Sequence, residues 1–307
     1  MKNEFTYPSS DGRTTIHAIE WTPEGEIRGI LQIAHGMVEF IDRYDRFARF
    51  MADHGFVVVG NDHLGHGSSV VSEENLGFFA DGDGNKCVIS DLHKLMLLTR
   101  RKYPNLPYFF LGHSMGSFLA RQFACYFGHS LTGVILLGTS YTPEALIITG
   151  KTLCKAVAAA KGWHYRSCLL FNMVFGSNDK PFEPARTRND WLTKDEAIVD
   201  AYNANPLNNF RFTANGYYHL FRSIEMCQKP ANMARIPKDL PIFLVSGALD
   251  PVGGQGEGVR QTFEAYQKAG LTDVTMKLYE GDRHEILNEL DHDLVDNDLL
   301  NWMVSKM

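Results

Sequence analysis

The chain has 307 residues, of which 44% are hydrophobic and 21% charged, and this mix excludes an intrinsically disordered protein. A net charge of −6 argues against nucleic acid as a bulk partner. No run of 18 apolar residues is present, so no membrane-spanning helix is predicted. The amino terminus lacks the apolar segment of a secretory signal, and the five cysteines include no CxxC pair. We therefore expect a cytoplasmic protein of two domains, or of one large domain with an insertion.

Strand-like and helix-like segments alternate along most of the chain. Five strands are predicted in the first half, at Thr15–Trp21, Arg28–Ala34, Phe56–Val59, Tyr108–Leu111 and Gly133–Leu137. Apolar residues at helical spacing predict helices between them, over residues 44–54, 85–102 and 117–127. Near the carboxyl end, strands are predicted at Pro241–Ser246 and Val274–Tyr279, and helices over 255–269 and 286–305. This alternation predicts a mostly parallel, doubly wound sheet.

One long segment, residues 141–238, interrupts the alternation. It contains patchy helical patterns, many aromatic residues and turn signals such as Asn178-Asp179-Lys180-Pro181. We interpret it as a cap that covers the carboxyl edge of the sheet, where open α/β sheets bind their ligands. The catalytic body would then consist of residues 1–140 and 239–307.

The strongest chemical signal is the pentapeptide Gly112-His113-Ser114-Met115-Gly116. It follows the apolar strand at Tyr108–Leu111 and opens the helix over 117–127. A G-x-S-x-G pattern between a strand and a helix is typical of a nucleophile elbow, in which the serine hydroxyl stands exposed above the sheet. The sequence therefore predicts Ser114 as a catalytic nucleophile.

A serine nucleophile needs a base, and the base needs an orienting carboxylate. On this architecture the acid and then the histidine follow the serine in the chain. Asp250 follows the strand at Pro241–Ser246, and His284 follows the next strand, so loops at one sheet edge can bring them together. Asp282 is too close to His284 in the chain to orient its ring. Asp250 and His284 are the predicted acid and base.

Two backbone N–H groups should stabilise the oxyanion that forms during acyl transfer. One is expected from Met115, the residue after the nucleophile. The other is expected from Met37, because Gly36 allows a sharp turn after the strand at Arg28–Ala34. The methionine side chains themselves have no part in this role.

Five motifs occur in the order of a known family: His35–Glu39, Arg43–Asp45, Asn61–Ser69, Gly112–Gly116 and Arg283–Glu285. Together they resemble the monoacylglycerol lipase and lysophospholipase branch of the α/β-hydrolase superfamily, with its serine aminopeptidase S33-type domain. The resemblance implies an α/β-hydrolase fold of about eight strands with a helical cap. It implies the triad Ser114, Asp250 and His284, the oxyanion donors Met37 and Met115, and the structural supports Glu39, Arg43 and Asp62.

The expected function is that of a serine hydrolase that cleaves small-molecule carboxylic esters such as monoacylglycerols or lysophospholipids. An acyl-enzyme route requires no cofactor and no metal. An aminopeptidase or amidase of the same fold is the alternative, since it would hold an ammonium group with cap carboxylates. Eight are available: Glu144, Asp179, Glu183, Asp190, Asp195, Glu196, Asp200 and Glu225. A non-catalytic binding module is a further alternative, which the presence of all three triad candidates disfavours.

The cap is basic, with 13 Lys and Arg against 8 Asp and Glu in residues 141–238. If residues 146–161 form a helix, Leu146, Leu153, Val157 and Ala160 share one face, and Lys151 and Lys155 lie opposite. Ile147 and Ile148 then fall near the lysines, a combination that would suit peripheral contact with an anionic lipid surface. Alternatively, the isoleucines pack on the body or against a second subunit of a homodimer.

Overall fold

A computed structural model describes residues 1–307 as a single eight-stranded sheet flanked by helices. The strands are β1 (Lys2–Pro8), β2 (Thr15–Trp21), β3 (Gly29–Ala34), β4 (Phe56–Asn61), β5 (Tyr108–His113), β6 (Gly133–Leu137), β7 (Ile242–Gly247) and β8 (Val274–Tyr279). Their order across the sheet is β1-β2-β4-β3-β5-β6-β7-β8. Strands β3 to β8 are parallel, whereas β2 is antiparallel to both of its neighbours.

Ten α-helices accompany the sheet. They are α1 (Asp45–Asp53), α2 (Gly84–Lys102), α3 (Met115–Phe127), α4 (Glu144–Lys161), α5 (Cys168–Phe175), α6 (Glu196–Ala204), α7 (Ala214–Gln228), α8 (Pro230–Met233), α9 (Glu257–Lys268) and α10 (His292–Ser305). Apolar side chains of α1 and α10 cover one face of the sheet, and those of α2, α3 and α9 cover the other. The predicted doubly wound α/β architecture is confirmed.

The central strands position the site because they are covered on both faces. Every residue of β3, β4, β5, β6 and β7 is buried. This explains why their sequences are mostly apolar, since a strand between two helical layers has no solvent-facing side. The carboxyl ends of β3, β5, β6, β7 and β8 therefore meet at one rigid edge, from which the predicted functional loops emerge.

Two predictions about elements need correction. The strand β1 was not predicted, because it is an edge strand in which only Tyr7 is buried and the apolar signal is weak. The helix predicted over 286–305 is interrupted: residues Ile286–Asn288 form one 3₁₀ turn, and α10 begins only at His292. The turn packs Ile286 and Leu287 into the core immediately after the predicted base.

The segment between β6 and β7 contains helices α4 to α8, as the predicted helical insertion requires. In α4, Ile147 packs into the core, as the alternative for the isoleucines states, whereas Ile148 is exposed. The buried residues of this helix are Ile147, Gly150, Cys154 and Ala158, while Leu146 is exposed. Small residues mark this face because α4 packs closely on α7: a Cβ at Gly150 would lie 2.6 Å from the ring of Phe221.

None of the helices combines the length and the apolar character that crossing a membrane would require.

Candidate active site

Ser114 occupies a tight turn between β5 and α3. Its φ of 52° and ψ of −118° are unusual for a residue with a side chain, and such backbone strain is concentrated at functional sites. A Cβ at Gly112 would collide with the carbonyl oxygen of Gly116, and one at Gly116 would collide with that of Ala34. Both glycines are therefore required for the close approach of strand and helix that the elbow prediction assumed.

His284 and Asp250 lie side by side, as predicted. His284 Nδ1 is 2.9 Å from Asp250 Oδ1, and both side chains are buried. Asp250 also accepts hydrogen bonds from the Ser246 hydroxyl at 3.0 Å and from the Val252 N–H at 2.9 Å. Burial raises the pKa of Asp250, but the neighbouring His284 and these hydrogen bonds outweigh burial and lower it below the usual value. The carboxylate is thus held charged beside the imidazole.

The loop after β3 approaches Ser114 closely. A Cβ at Gly36 would lie 3.2 Å from the Cβ of Ser114, so only glycine leaves the loop free to lie there. Met37 follows Gly36 and lines the same cavity as Ser114. Met115 is the first residue of α3, and its N–H has no partner within the helix. Both predicted oxyanion donors therefore lie next to Ser114.

A buried charged network lies behind this loop. The carboxylate of Glu39 accepts hydrogen bonds from the Gly36 N–H, from the Tyr44 hydroxyl at 2.9 Å and from Arg43 at 2.7 Å. Arg43 also binds Glu285 through two bonds of 2.7 and 2.8 Å. Although burial raises the pKa of Glu39, His113 and Arg43 lower it well below its usual range. Glu39 is therefore an anion that holds the oxyanion loop in place.

His113 connects this network to the predicted base. Its Nδ1 lies 3.0 Å from Glu39 Oε1, and its Nε2 lies 3.4 Å from the carbonyl oxygen of His284. Burial lowers the pKa of His113, but the hydrogen bond to Glu39 and the charge of that carboxylate raise it above the usual value. The residue before the nucleophile thus contacts both the oxyanion loop and the histidine loop.

A cavity of about 810 Å³ connects these groups to the insertion. Ser114, His284, Met37 and Met115 all line it, and its volume is typical of a small-molecule site. Its apolar walls include Phe118, Phe171, Trp191, Leu220, Phe221 and Ile224. Its polar lining within the insertion includes Asn178, Asp179, Arg188, Asn189, Asn208 and Arg211.

Several lining residues were not predicted from the sequence. Trp191 approaches the site only because the insertion folds back over the sheet, and no local motif signals that contact. Glu285 forms part of the motif Arg283–Glu285, yet its ion pair with Arg43 depends on two loops that are far apart in the chain. Asp282, which was rejected as the orienting acid, binds Lys194 at 2.6 Å instead.

A family model described as serine aminopeptidase, S33, matches residues 25–291. The chain belongs to this family. The hydrolase is 24% identical over 311 residues to a monoacylglycerol lipase of Mycolicibacterium smegmatis, covering 100% of this chain and 98% of that protein. It is 26% identical over 279 residues to the human monoglyceride lipase, covering 88% and 80% of the two chains. The predicted resemblance to the monoacylglycerol lipase branch is confirmed.

Solved structures agree with this assignment. A highly thermostable carboxyl esterase from Bacillus coagulans, solved in complex with glycerol, superimposes with a TM-score of 0.92 at 31% identity, over 99% of this chain and 98% of that one. A lipase in an open form superimposes with a TM-score of 0.87 at 28% identity, over 100% and 99% of the two chains. The hydrolase thus shares its whole architecture, including the insertion, with esterases and lipases.

Proposed function

We propose that the hydrolase cleaves carboxylic esters of monoacylglycerol or lysophospholipid type, with Ser114 as nucleophile, His284 as base and Asp250 as the orienting acid. The observation that carries the proposal is one cavity lined by both the strained Ser114 and the His284 ring, whose other side is bound to a buried carboxylate. Relatives of full length that are lipases support the same reaction.

The proposed reaction has two steps. The Ser114 oxygen attacks the ester carbonyl while His284 accepts its proton, and Asp250 stabilises the imidazolium that forms. The N–H groups of Met37 and Met115 stabilise the oxyanion. His284 then donates its proton to the departing alcohol, which leaves an acyl-enzyme. Water, deprotonated by His284, attacks that acyl group in turn, and release of the acid regenerates Ser114.

The insertion disfavours the aminopeptidase alternative. Of the eight acidic residues considered there, only Asp179 lines the cavity. Burial, with the neighbouring Asp190, raises the pKa of Asp179 to about 6, so this carboxylate loses its charge as the pH falls below neutral. Glu225 is bound to Lys151 and Arg222 instead. The aminopeptidase alternative therefore has one insertion carboxylate at the cavity, rather than a set of them, to hold a substrate ammonium group.

Two features of the cavity fit an acyl ester of moderate size. Its apolar wall, which includes Phe171, Leu220 and Phe221, can bury a hydrocarbon chain. Its polar lining, which includes Asn189 and Asn208, offers hydrogen bonds to an alcohol group. A volume of about 810 Å³ accommodates both parts of a monoacyl ester.

Contact with a lipid surface through the insertion also belongs to the proposal, although its basis changes. Lys151 is bound to Glu225 at 2.7 Å, so it is not a free cation on the surface. Large apolar side chains are exposed instead: Leu146 and Ile148 on α4, and Leu169 and Met173 on α5. We name these four residues the apolar rim, because Leu146 and Met173 also line the cavity. Such a rim is suited to a peripheral enzyme that takes its substrate from lipid.

A substrate panel tests the proposed reaction. Purified hydrolase is assayed with p-nitrophenyl esters of increasing chain length, with monoacylglycerol and lysophospholipid, and with aminoacyl-anilides. We expect turnover of the esters, little turnover of the anilides, and loss of all turnover in Ser114→Ala. Anilide hydrolysis that exceeds ester hydrolysis would overturn the ester assignment, and turnover that survives Ser114→Ala would overturn the mechanism.

A further inference from the structure

The loop that carries His284 is held by the insertion as well as by the body. We call residues 190–194 the docking segment. The N–H of His284 donates to the carbonyl oxygen of Trp191 at 3.4 Å, and the N–H of Glu285 donates to that of Leu192 at 2.7 Å. These two successive backbone hydrogen bonds align the docking segment with the histidine loop.

Side chains strengthen this contact from both sides. The Arg283 guanidinium donates to the carbonyl oxygen of Thr193 at 3.2 Å, and the Thr193 hydroxyl donates to that of Asn288 at 2.9 Å. Lys194 Nζ lies 2.6 Å from Asp282, whose side chain is fully buried. The docking segment is therefore fixed to the body by backbone hydrogen bonds, side-chain hydrogen bonds and an ion pair.

The docking segment places an aromatic ring against the proposed base. The ring centroids of Trp191 and His284 are 5.1 Å apart, with planes tilted by 42°. The Trp191 side chain is itself buried and is supported by Phe175, whose ring centroid is 6.1 Å away. Its position is thus determined by packing on both sides.

His284 needs such a contact because its hydrogen bond fixes only one atom. The imidazole turns about its Cα–Cβ and Cβ–Cγ bonds, and the single hydrogen bond from Nδ1 to Asp250 tolerates small rotations about both. Gly138 lies against one edge of the imidazole, because a Cβ added to this glycine would be 2.9 Å from His284 Cε1. On the body side, the ring centroids of His113 and His284 are 4.8 Å apart. Trp191 supplies the aromatic contact from the insertion, which restricts the remaining rotation.

We propose that Trp191 is a positioning residue that holds the His284 imidazole in the orientation required to accept the proton of Ser114. This inference rests on the proposed function. An indole next to the ring also favours the imidazolium that forms during the reaction, because aromatic rings attract cations. The insertion thereby has two roles in the reaction: it orients the catalytic histidine through Trp191, and it lines the cavity that binds the substrate.

Three variants test the role of Trp191 with a small soluble ester, p-nitrophenyl acetate. We expect Trp191→Leu to lower kcat on the order of ten- to a hundredfold and to change KM less than twofold, because a misplaced base slows proton transfer without weakening binding. Trp191→Phe retains a ring and should restore most of the rate. Trp163→Leu is the control, since Trp163 is an exposed residue elsewhere in the insertion. Urea unfolding verifies that each variant is folded.

A double-mutant cycle distinguishes positioning from a general structural effect. If Trp191 acts through His284, adding Trp191→Leu to His284→Ala should cause no further loss of the residual rate. An equal loss in both backgrounds, or a rise in KM alone, would overturn the inference. The proposed function is tested separately: it stands if Ser114→Ala abolishes turnover, whatever the effect of Trp191→Leu, and it fails if Ser114→Ala remains active.

Discussion

Gly36 and Ser114 lie so close together that a Cβ on the glycine would be 3.2 Å from the Cβ of the serine. The same Cβ would be 2.6 Å from the carboxylate of Glu39, which binds the Gly36 N–H. The oxyanion loop is therefore confined between the nucleophile on one side and a buried anion on the other. A side chain at position 36 cannot be added unless the backbone of the loop moves.

Gly36→Ala should impair the reaction without preventing folding. The added methyl group must displace the loop that carries Met37, and loss of one oxyanion donor typically costs on the order of 10²-fold in kcat. Steady-state kinetics with a short p-nitrophenyl ester would measure the loss. Gly25→Ala provides the control, because a Cβ at that position meets no atom within 4 Å. Wild-type kcat in Gly36→Ala would exclude this loop from oxyanion stabilisation.

The triad substitutions should separate the three proposed roles. Ser114→Ala and His284→Ala should lower kcat on the order of 10⁶-fold, because each removes a reacting group. Asp250→Asn should cost about 10⁴-fold, because the amide favours the wrong imidazole tautomer. A fluorophosphonate probe should label wild-type protein at Ser114 only, as peptide mass analysis can verify. Labelling at another serine would show that the nucleophile has been misassigned.

Most of the fold could be predicted from the sequence, because each strand and helix is indicated by residues that are close together in the chain. Strands β3 to β7 are completely buried, so each is a mostly apolar segment, and their alternation with helices along the chain predicts a parallel sheet. The positions of Asp250 and His284 follow from the same logic, since each comes directly after a strand of that sheet.

What the sequence could not supply depends on long-range packing. The buried face of α4 is defined by Gly150, Cys154 and Ala158, whose importance comes from the partner helix α7 rather than from their hydrophobicity. Likewise, Trp191 meets His284 only after the insertion returns to the body. Neither kind of contact can be predicted from helical periodicity or from a local motif.

His17 should make the stability of the hydrolase depend on pH. Its ring nitrogens lie 2.9 Å from Asp62 and 3.1 Å from Glu4, and the hydrogen bond to buried Asp62 is the main cause that raises the pKa of His17 to about 9. Because the pKa is higher in the folded state, this stabilisation is complete below about pH 6.5 and disappears as pH rises through 9. It amounts to less than about 3 kcal/mol, because water screens the ion pair of this half-buried histidine with exposed Glu4.

Urea unfolding of His17→Gln at several pH values would test this linkage. We expect the variant to be less stable than wild type at pH 6, and the difference in unfolding free energy to shrink by pH 9.5. The exposed His129 provides a control, since His129→Gln should unfold like wild type throughout. A difference between wild type and His17→Gln that stays constant with pH would mean that His17 contributes by packing alone.

The apolar rim should determine how the hydrolase handles aggregated substrate. In the double variant Leu146→Ser/Ile148→Ser, two exposed apolar side chains can no longer insert into lipid, and binding to phospholipid vesicles should fall on the order of tenfold. Co-sedimentation with neutral and anionic vesicles at low and high salt would measure both contributions, because added salt screens only the electrostatic one. Leu294→Ser on α10 is the matched control, since Leu294 is similarly exposed but lies outside the insertion.

Activity measurements complete the test of the rim. The double variant should lose activity on dispersed monoacylglycerol and largely retain it on p-nitrophenyl acetate, because the short ester reaches Ser114 from solution. Since Leu146 also lines the cavity, the single variant Ile148→Ser, which alters only the outer surface, should show the same selective loss to a smaller degree. If both substrates lose activity equally, or if wild-type protein does not bind vesicles, the rim serves packing or a second subunit instead, and sedimentation velocity would reveal a dimer.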